Sequence, residues 1–276
     1  MNSHPHSATW LSTPTLCCRL VLLSLLVIPG FAQAQEQSRP DLNGMWIEAI
    51  SAYTDPRWRL EDLMCINCSA AAFDYIRQTR KPDDSRSFEE IQTAMHEFDK
   101  KYIRGLLTAE GEKLFDAVQS DPDPYCKPIG LLQLVRAWLA VKIEQQGDVI
   151  TMDYEYLGQQ RRIYLDGRDH PADLELSDLG HSIGWYDGPT LVIETTALKP
   201  NVIRSSGVVD GIRISEHATV IERITRNPDE TWFDHEVTLV DPRMYREPFV
   251  VHQQRRLLEK GQEYEVYGCE LVSGER

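Results

Sequence analysis

The strongest constraint on the fold is a cadence. From Ala137 onward the chain breaks into short runs rich in β-branched and aromatic residues: Ala137–Gln145, Val149–Tyr156, Arg161–Leu165, Pro189–Thr196, His217–Thr225, Thr231–Val240, Pro248–Leu258 and Tyr264–Val272. Between them stand Gln146-Gly147-Asp148, Asp187-Gly188, Asn227-Pro228-Asp229 and Glu259-Lys260-Gly261, residues that adopt the tight geometries of hairpin turns. A further strand at Gly44–Ile50 brings the number to about nine, enough to close a barrel or build a sandwich, and the short spacing favours an antiparallel meander. The expected fold is therefore mainly β.

The first of these strands starts at Asp41-Leu42-Asn43-Gly44-Met45-Trp46 and resembles the opening of a lipocalin or wider calycin barrel. The resemblance implies that Gly44 admits a close backbone approach, and that Trp46 plugs the closed end under an arginine of the last strand, for which Arg255 and Arg256 are the candidates. From Trp58 to about Val118 the period turns helical. Ser87 and Glu90 form a capping box, and Ile91, Met95, Phe98 and Ile103 follow near helical spacing. A second helix is expected from Thr108 through Leu114 and Val118. We read this insertion, about residues 58–120, as packing against the barrel, with a lid over its mouth as the functional variant. Pro122, Pro124 and Pro128 make the segment Asp121–Pro128 a stiff connector.

Residues 1–34 read as an export signal: Arg19 precedes the apolar run Leu20–Ile28, and cleavage is expected after Ala32-Gln33-Ala34. That run is shorter than the roughly 20 residues a membrane span needs. Cys17 and Cys18 precede it, whereas a lipidated cysteine would follow. Residues 35–276 then form one domain in the periplasm or outside the cell. The chain carries 29 basic and 43 acidic residues, a net charge of -14, which disfavours nucleic acid and anionic membranes as partners. Four cysteines remain beyond the signal, Cys65, Cys68, Cys126 and Cys269, and four allow three disulfide pairings. Should Cys65 pair locally with Cys68, Cys126 and Cys269 would tie mid-chain to the last strand.

Ionisable residues share strand faces with apolar ones. His235 alternates with Phe233 and Val237, Glu216 and Glu222 with Ala218 and Val220, and Glu194 with Val192 and Thr196. Alternation pairs residues on a face without saying which face is inside. The densest stretch is Arg162–Leu198. There Asp166-Gly167-Arg168-Asp169-His170-Pro171 makes a turn and Gly180-His181-Ser182-Ile183-Gly184-Trp185 starts a strand, with Trp185 and Tyr186 expected as an aromatic wall.

The series DGR-x-HP, GHSIGW-x-x-G-x-TLV-x-ETT, E-R-x-x-R at Glu222–Arg226, Asp241-Pro242 and a final YE-x-x-x-C-E resembles a large family of exported proteobacterial proteins. The resemblance covers most of the chain from Thr108 onward. It implies β-rich architecture and export, marks His170, His181, Glu194, Arg223 and Glu270 as motif positions, and gives no reaction; the CINC unit at Cys65–Cys68 lies outside it.

No G-x-S-x-G elbow, H-E-x-x-H, Walker loop or G-x-G-x-x-G is present, and the spacing of His170, His181 and the acids matches no strong metal motif. No cofactor or metal is expected. The leading expectation is a calycin-like antiparallel barrel that binds a small, partly apolar molecule, aromatic ones included, in its mouth. Its contacts would be His170, Trp185, Tyr186, Glu222 and His235, with His181, Glu194 and Arg223 orienting polar groups. The alternative is a cofactor-independent lyase, dehydratase or isomerase with His181 as acid/base, Glu194 or Glu270 as its partner and Arg223 stabilising negative charge. An envelope interaction module is the third class.

Overall fold

The computed structural model describes residues 39–48, 68–79, 81, 83–117, 127–137, 139–203, 212–226, 231–259, 261–262 and 266. Nine strands close a barrel in the order β1-β11-β10-β9-β6-β5-β4-β3-β2. They are β1 (Gly44–Glu48), β2 (Val141–Gln146), β3 (Val149–Tyr154), β4 (Gln160–Tyr164), β5 (His181–Asp187), β6 (Thr190–Thr196), β9 (Thr219–Arg226), β10 (Trp232–Val240) and β11 (Phe249–Leu257). The short strands β7 (Asn201–Ile203) and β8 (Ile212–Ile214) form a separate antiparallel pair. Closure leaves no edge strand unpaired in the barrel. Tyr264–Val272 lies outside the described residues apart from Val266; the ninth place belongs to β5.

The meander is antiparallel except at one seam. Strands β4 and β5 run parallel, with Ile163 opposite Ser182 and Tyr164 opposite Ile183. Parallel neighbours require the chain to travel back along the sheet between them, which residues 165–180 do. The expected all-antiparallel barrel is therefore a mixed one. At the other seam Gly44, at φ 141°, lies so close to β11 that a Cβ there would sit 2.6 Å from the Leu257 side chain. Beyond it Trp46 is fully buried, donates from its indole N–H to the Leu42 carbonyl at 2.8 Å and packs on Phe233 at 4.6 Å between ring centroids. The arginine over its ring is Arg226 of β9, at 5.0 Å, rather than Arg255 or Arg256. Arg255 instead points into the barrel and donates to the carbonyls of Val135, Ala137 and Leu139.

Four helices occur among the described residues: α1 (Ala70–Thr79), α2 (Phe88–Gly105), α3 (Ala109–Ala117) and α4 (Leu131–Val135). Helix α2 begins with the expected capping box, the Ser87 side chain accepting from the Glu90 amide while Glu90 accepts from the Ser87 amide. No helix of the described residues is long and apolar enough to cross a membrane. Ile103, Leu107 and Phe115 of the insertion join Val220, Val237 and Val251 in one apolar cluster, so α2 and α3 pack onto one end of the barrel. The short α4, which the sequence pattern did not announce, adds Leu131, Leu132 and Val135 to that cluster, each no more than 3% exposed. At the other end Trp46, Phe233, Leu191, Ile193 and Ile224 form a second cluster. Between the two, on the same inward faces, lie Glu222, His235 and Gln253.

Candidate functional site

Two groups of ionisable residues occupy opposite sides of one stretch of barrel wall. Strand alternation separates them. On β6, Leu191 and Ile193 pack in the interior cluster and Thr195 reaches inward to Arg161, so Val192, Glu194 and Thr196 face outward. On β5, Ser182 also contacts Arg161, so His181, Ile183 and Trp185 face outward as well.

The interior group centres on Glu222, which has no exposed surface. One oxygen lies 2.7 Å from Arg161 Nη2, close enough for an ion pair although off the line of a hydrogen bond. The other accepts from His235 Nε2 at 3.0 Å. Arg161 also donates to Ser182 Oγ at 2.9 Å and to Thr195 Oγ1 at 2.6 Å. Gln253 donates to His235 Nδ1 at 2.8 Å and to the Val135 carbonyl, tying the network to α4. Burial would push the Glu222 carboxyl up, but the Arg161 charge and the His235 hydrogen bond outweigh it and hold the value down to about 2. Burial lowers His235 more than Glu222 raises it. The imidazole is thus neutral at pH 7, with its proton on Nε2 toward Glu222 and its Nδ1 lone pair taken by Gln253, an assignment that follows from the hydrogen-bond pattern.

Little room is left around this network. The cavity lined by Tyr154, Phe233, His235 and Arg255 has a volume of about 10 Å³, roughly that of one water. Arg161 Nη1 and Gln253 Oε1 are buried without a hydrogen-bond partner among the described residues.

The outer group gathers the crossover 165–180 onto β4, β5 and β6. Gly180 makes the approach possible: at φ 65° it passes so near β6 that a Cβ would stand 2.3 Å from the Thr196 carbonyl oxygen. Ser177 of the crossover donates to the Ala197 carbonyl at 3.0 Å and accepts from the Lys199 amide at 2.9 Å, which docks the strap beside the end of β6. His170 then meets His181 with Nδ1 facing Nδ1 at 2.7 Å. Behind His170, Glu194 Oε1 stands 3.4 Å from Nε2, near enough to orient it electrostatically but longer than a formed hydrogen bond. The Tyr164 ring stacks on His181 at 5.5 Å and carries the Arg168 guanidinium at 4.1 Å from its centroid. Arg168 is held in turn by Asp166 through three side-chain contacts of 2.8, 3.0 and 2.5 Å. Burial first, then the neighbouring His170 and Arg168, hold His181 below its ordinary range. No group of three or more His, Cys, Asp or Glu able to hold a metal occurs among the described residues.

The remaining expected contacts are dispersed. Trp185 and Tyr186 do not form one wall, because adjacent strand residues point to opposite faces. Trp185 is 47% exposed on the outside, while Tyr186 points inward, donates to Gln145 Oε1 at 2.9 Å and lies under Arg39. Arg223 is also outside, paired with Asp187 at 2.8 Å, away from His181. Glu216 bridges to Arg243 just before β9. Cys68 is fully buried between α1 and α2; Cys65, Cys126, Cys269 and Glu270 lie outside the described residues. No sequence motif marks Tyr164 or Arg161. The same period that exposed His235 reaches Arg161, which alternates with Ile163, and Tyr164, which sits on the opposite face. Compared with protein-family models, curated proteins and solved structures, the chain gives no match.

Proposed function

We propose that this barrel binds a small molecule on its outer wall, beneath and beside the crossover, with His181 as the principal contact. The supporting observation is the convergence of His170, His181, Glu194, Tyr164 and Arg168 from three strands and one strap, whereas the cavity beside His235 and Arg255 has space for about one water. Scaffolding alone does not call for this cluster. Its imidazoles and carboxylate remain partly open, whereas the charges that brace the barrel are sealed inside. Tyr164 offers a flat apolar face and a hydroxyl, Arg168 a cation already balanced by Asp166, and His181 a nitrogen without a protein partner among the described residues. Such a set suits a ligand that is planar or partly apolar and carries a polar group. Export by cleavage after Ala34, membership of the exported proteobacterial family and a disulfide among the four remaining cysteines belong to the same reading.

The test is native mass spectrometry of the protein purified from its own host without denaturation. A co-purifying small molecule is expected on the wild-type chain and absent from His181→Ala and Tyr164→Ala. A molecule retained equally by both variants would overturn the outer-wall site, and the intact mass reports the mature N-terminus in the same spectrum.

A further inference from the structure

The two imidazoles of the outer wall cannot share a 2.7 Å contact unless one Nδ1 carries a proton and the other does not. The surroundings say which is which. Glu194 lies against His170 Nε2 and stabilises a proton there, leaving His170 Nδ1 as a lone pair. The proton between the rings therefore sits on His181 Nδ1. This leaves His181 Nε2 unprotonated, with no protein partner among the described residues and with the ring plane held by Tyr164. It is the opposite tautomer from that of His235, whose two nitrogens are both engaged.

We infer that Glu194, His170 and His181 form a proton relay that makes His181 Nε2 a general base toward an acidic C–H or O–H group of a molecule bound on the outer wall. The inference rests on the binding site proposed above and assigns it a chemistry. In the step, Nε2 takes the proton and the electron pair of the broken bond stays on the ligand. The imidazolium formed is stabilised through His170 by the Glu194 charge. His181 would touch the reacting group; His170 and Glu194 are positioning residues. The low basicity of His181 keeps the lone pair free at neutral pH, where a general base is most useful. The 3.4 Å gap between Glu194 and His170 is of the kind that tightens once charge develops.

Two measurements on the mature protein test the relay. Nitrogen-15 NMR of the imidazoles reads the tautomers directly: His181 is expected as the Nδ1–H form and His170 as the Nε2–H form, with His181 reverting to Nε2–H in His170→Ala. The base is probed with 5-nitrobenzisoxazole. Removal of its ring proton forms the nitrile as the N–O bond breaks, and the phenolate oxygen keeps the bond pair, giving a coloured product without any co-reactant. Wild-type protein is expected to exceed His181→Ala by about tenfold or more, below the roughly 10²–10⁴-fold of evolved acid–base groups. Glu194→Gln should move the midpoint of the pH profile, which a purely structural residue would not do. An Nε2–H tautomer at His181 in the wild type, or a rate unchanged by His181→Ala, overturns the relay. If that tautomer appears while His181→Ala still loses the co-purifying molecule, the relay has failed and the binding site stands. The relay tautomers without any bound molecule would sink the binding site instead.

Discussion

The barrel wall carries a His–Glu pair on each side, and the two differ in burial and in how far the protein engages their polar atoms. Inside, Glu222 and His235 are 0% and 4% exposed, and both ring nitrogens of the histidine are occupied. Outside, the side chains of His170 and Glu194 are 16% and 35% exposed, and His181 keeps one nitrogen unengaged among the described residues. A titratable group whose valences are all met by the protein is architecture; one left a valence beside solvent has chemistry to offer. Residue type does not separate these roles.

The sharpest way to break this contrast is to unbalance the interior. Glu222→Gln keeps the shape but leaves Arg161 buried without its counter-charge, and breaking a buried pair in this way costs about 3–5 kcal/mol. Urea unfolding followed by tryptophan fluorescence should show that loss. Replacing both partners, as in Arg161→Met with Glu222→Leu, should recover most of it, since an apolar pair of similar volume is often neutral or stabilising. If the double variant were as weak as the single one, the network would matter for more than charge balance.

Acid separates the two sides next. Glu222 is depressed from 4.5 to about 2 in the folded protein, so its ionised form favours folding. That contribution, about 3 kcal/mol, is complete above pH 4.5 and disappears as pH falls toward 2. His235 and His181 are both lowered from 6.5, so folding favours their neutral forms. Their share is present above pH 6.5 and is lost as pH falls below that value through the depressed folded values. Stability against pH should therefore drop in two stages, the histidines first and Glu222 later. In His235→Gln the first stage should shrink but persist; its complete disappearance would mean that His181 does not titrate with folding.

Much of this contrast could be read from residue alternation, and the missing part has a physical cause. The period of two placed His235 with Phe233 and Val237, and Glu222 with Val220, on faces that prove to line the interior. It did not say which face is inside. In β6, Thr190, Leu191, Val192 and Ile193 are all buried, so apolar residues on both faces erase the contrast on which alternation depends. That is why Glu194 reads as a lining residue although it faces outward. The parallel seam was hidden for another reason: Asp166–Pro171 and Gly180 each look like a turn, and only the length between them marks a crossover. Contacts distant in sequence, such as Arg226 on Trp46 and Gln253 on Val135, follow from barrel closure and register.

A third substitution sharpens the comparison from the other side. His181→Ala removes a partly open ring whose only hydrogen bond among the described residues is to His170. Its effect on unfolding should be about 1 kcal/mol or less, the net value of one ordinary hydrogen bond, while the bound molecule is lost. A loss as large as that of Glu222→Gln would place His181 in the architecture and remove the basis for an outer-wall site.

The smallest effect is expected at Arg223, which the sequence pattern offers as a stabiliser of negative charge. Its guanidinium meets Asp187 at 2.8 Å, yet both side chains are well exposed, at 41% and 64%. Exposed pairs of this kind contribute about 0.2–1 kcal/mol because water screens the attraction and two long side chains lose freedom. Arg223→Ala should therefore shift unfolding by less than His181→Ala, and raising salt to about 1 M, where the Debye length is roughly 3 Å, should shrink even that difference. Buried Arg161, paired at the same kind of distance inside the wall, should keep most of its effect at that salt concentration. Equal salt sensitivity at Arg161 and Arg223 would mean that water reaches the interior network, and the division of the wall into a sealed side and an open side would have to be given up.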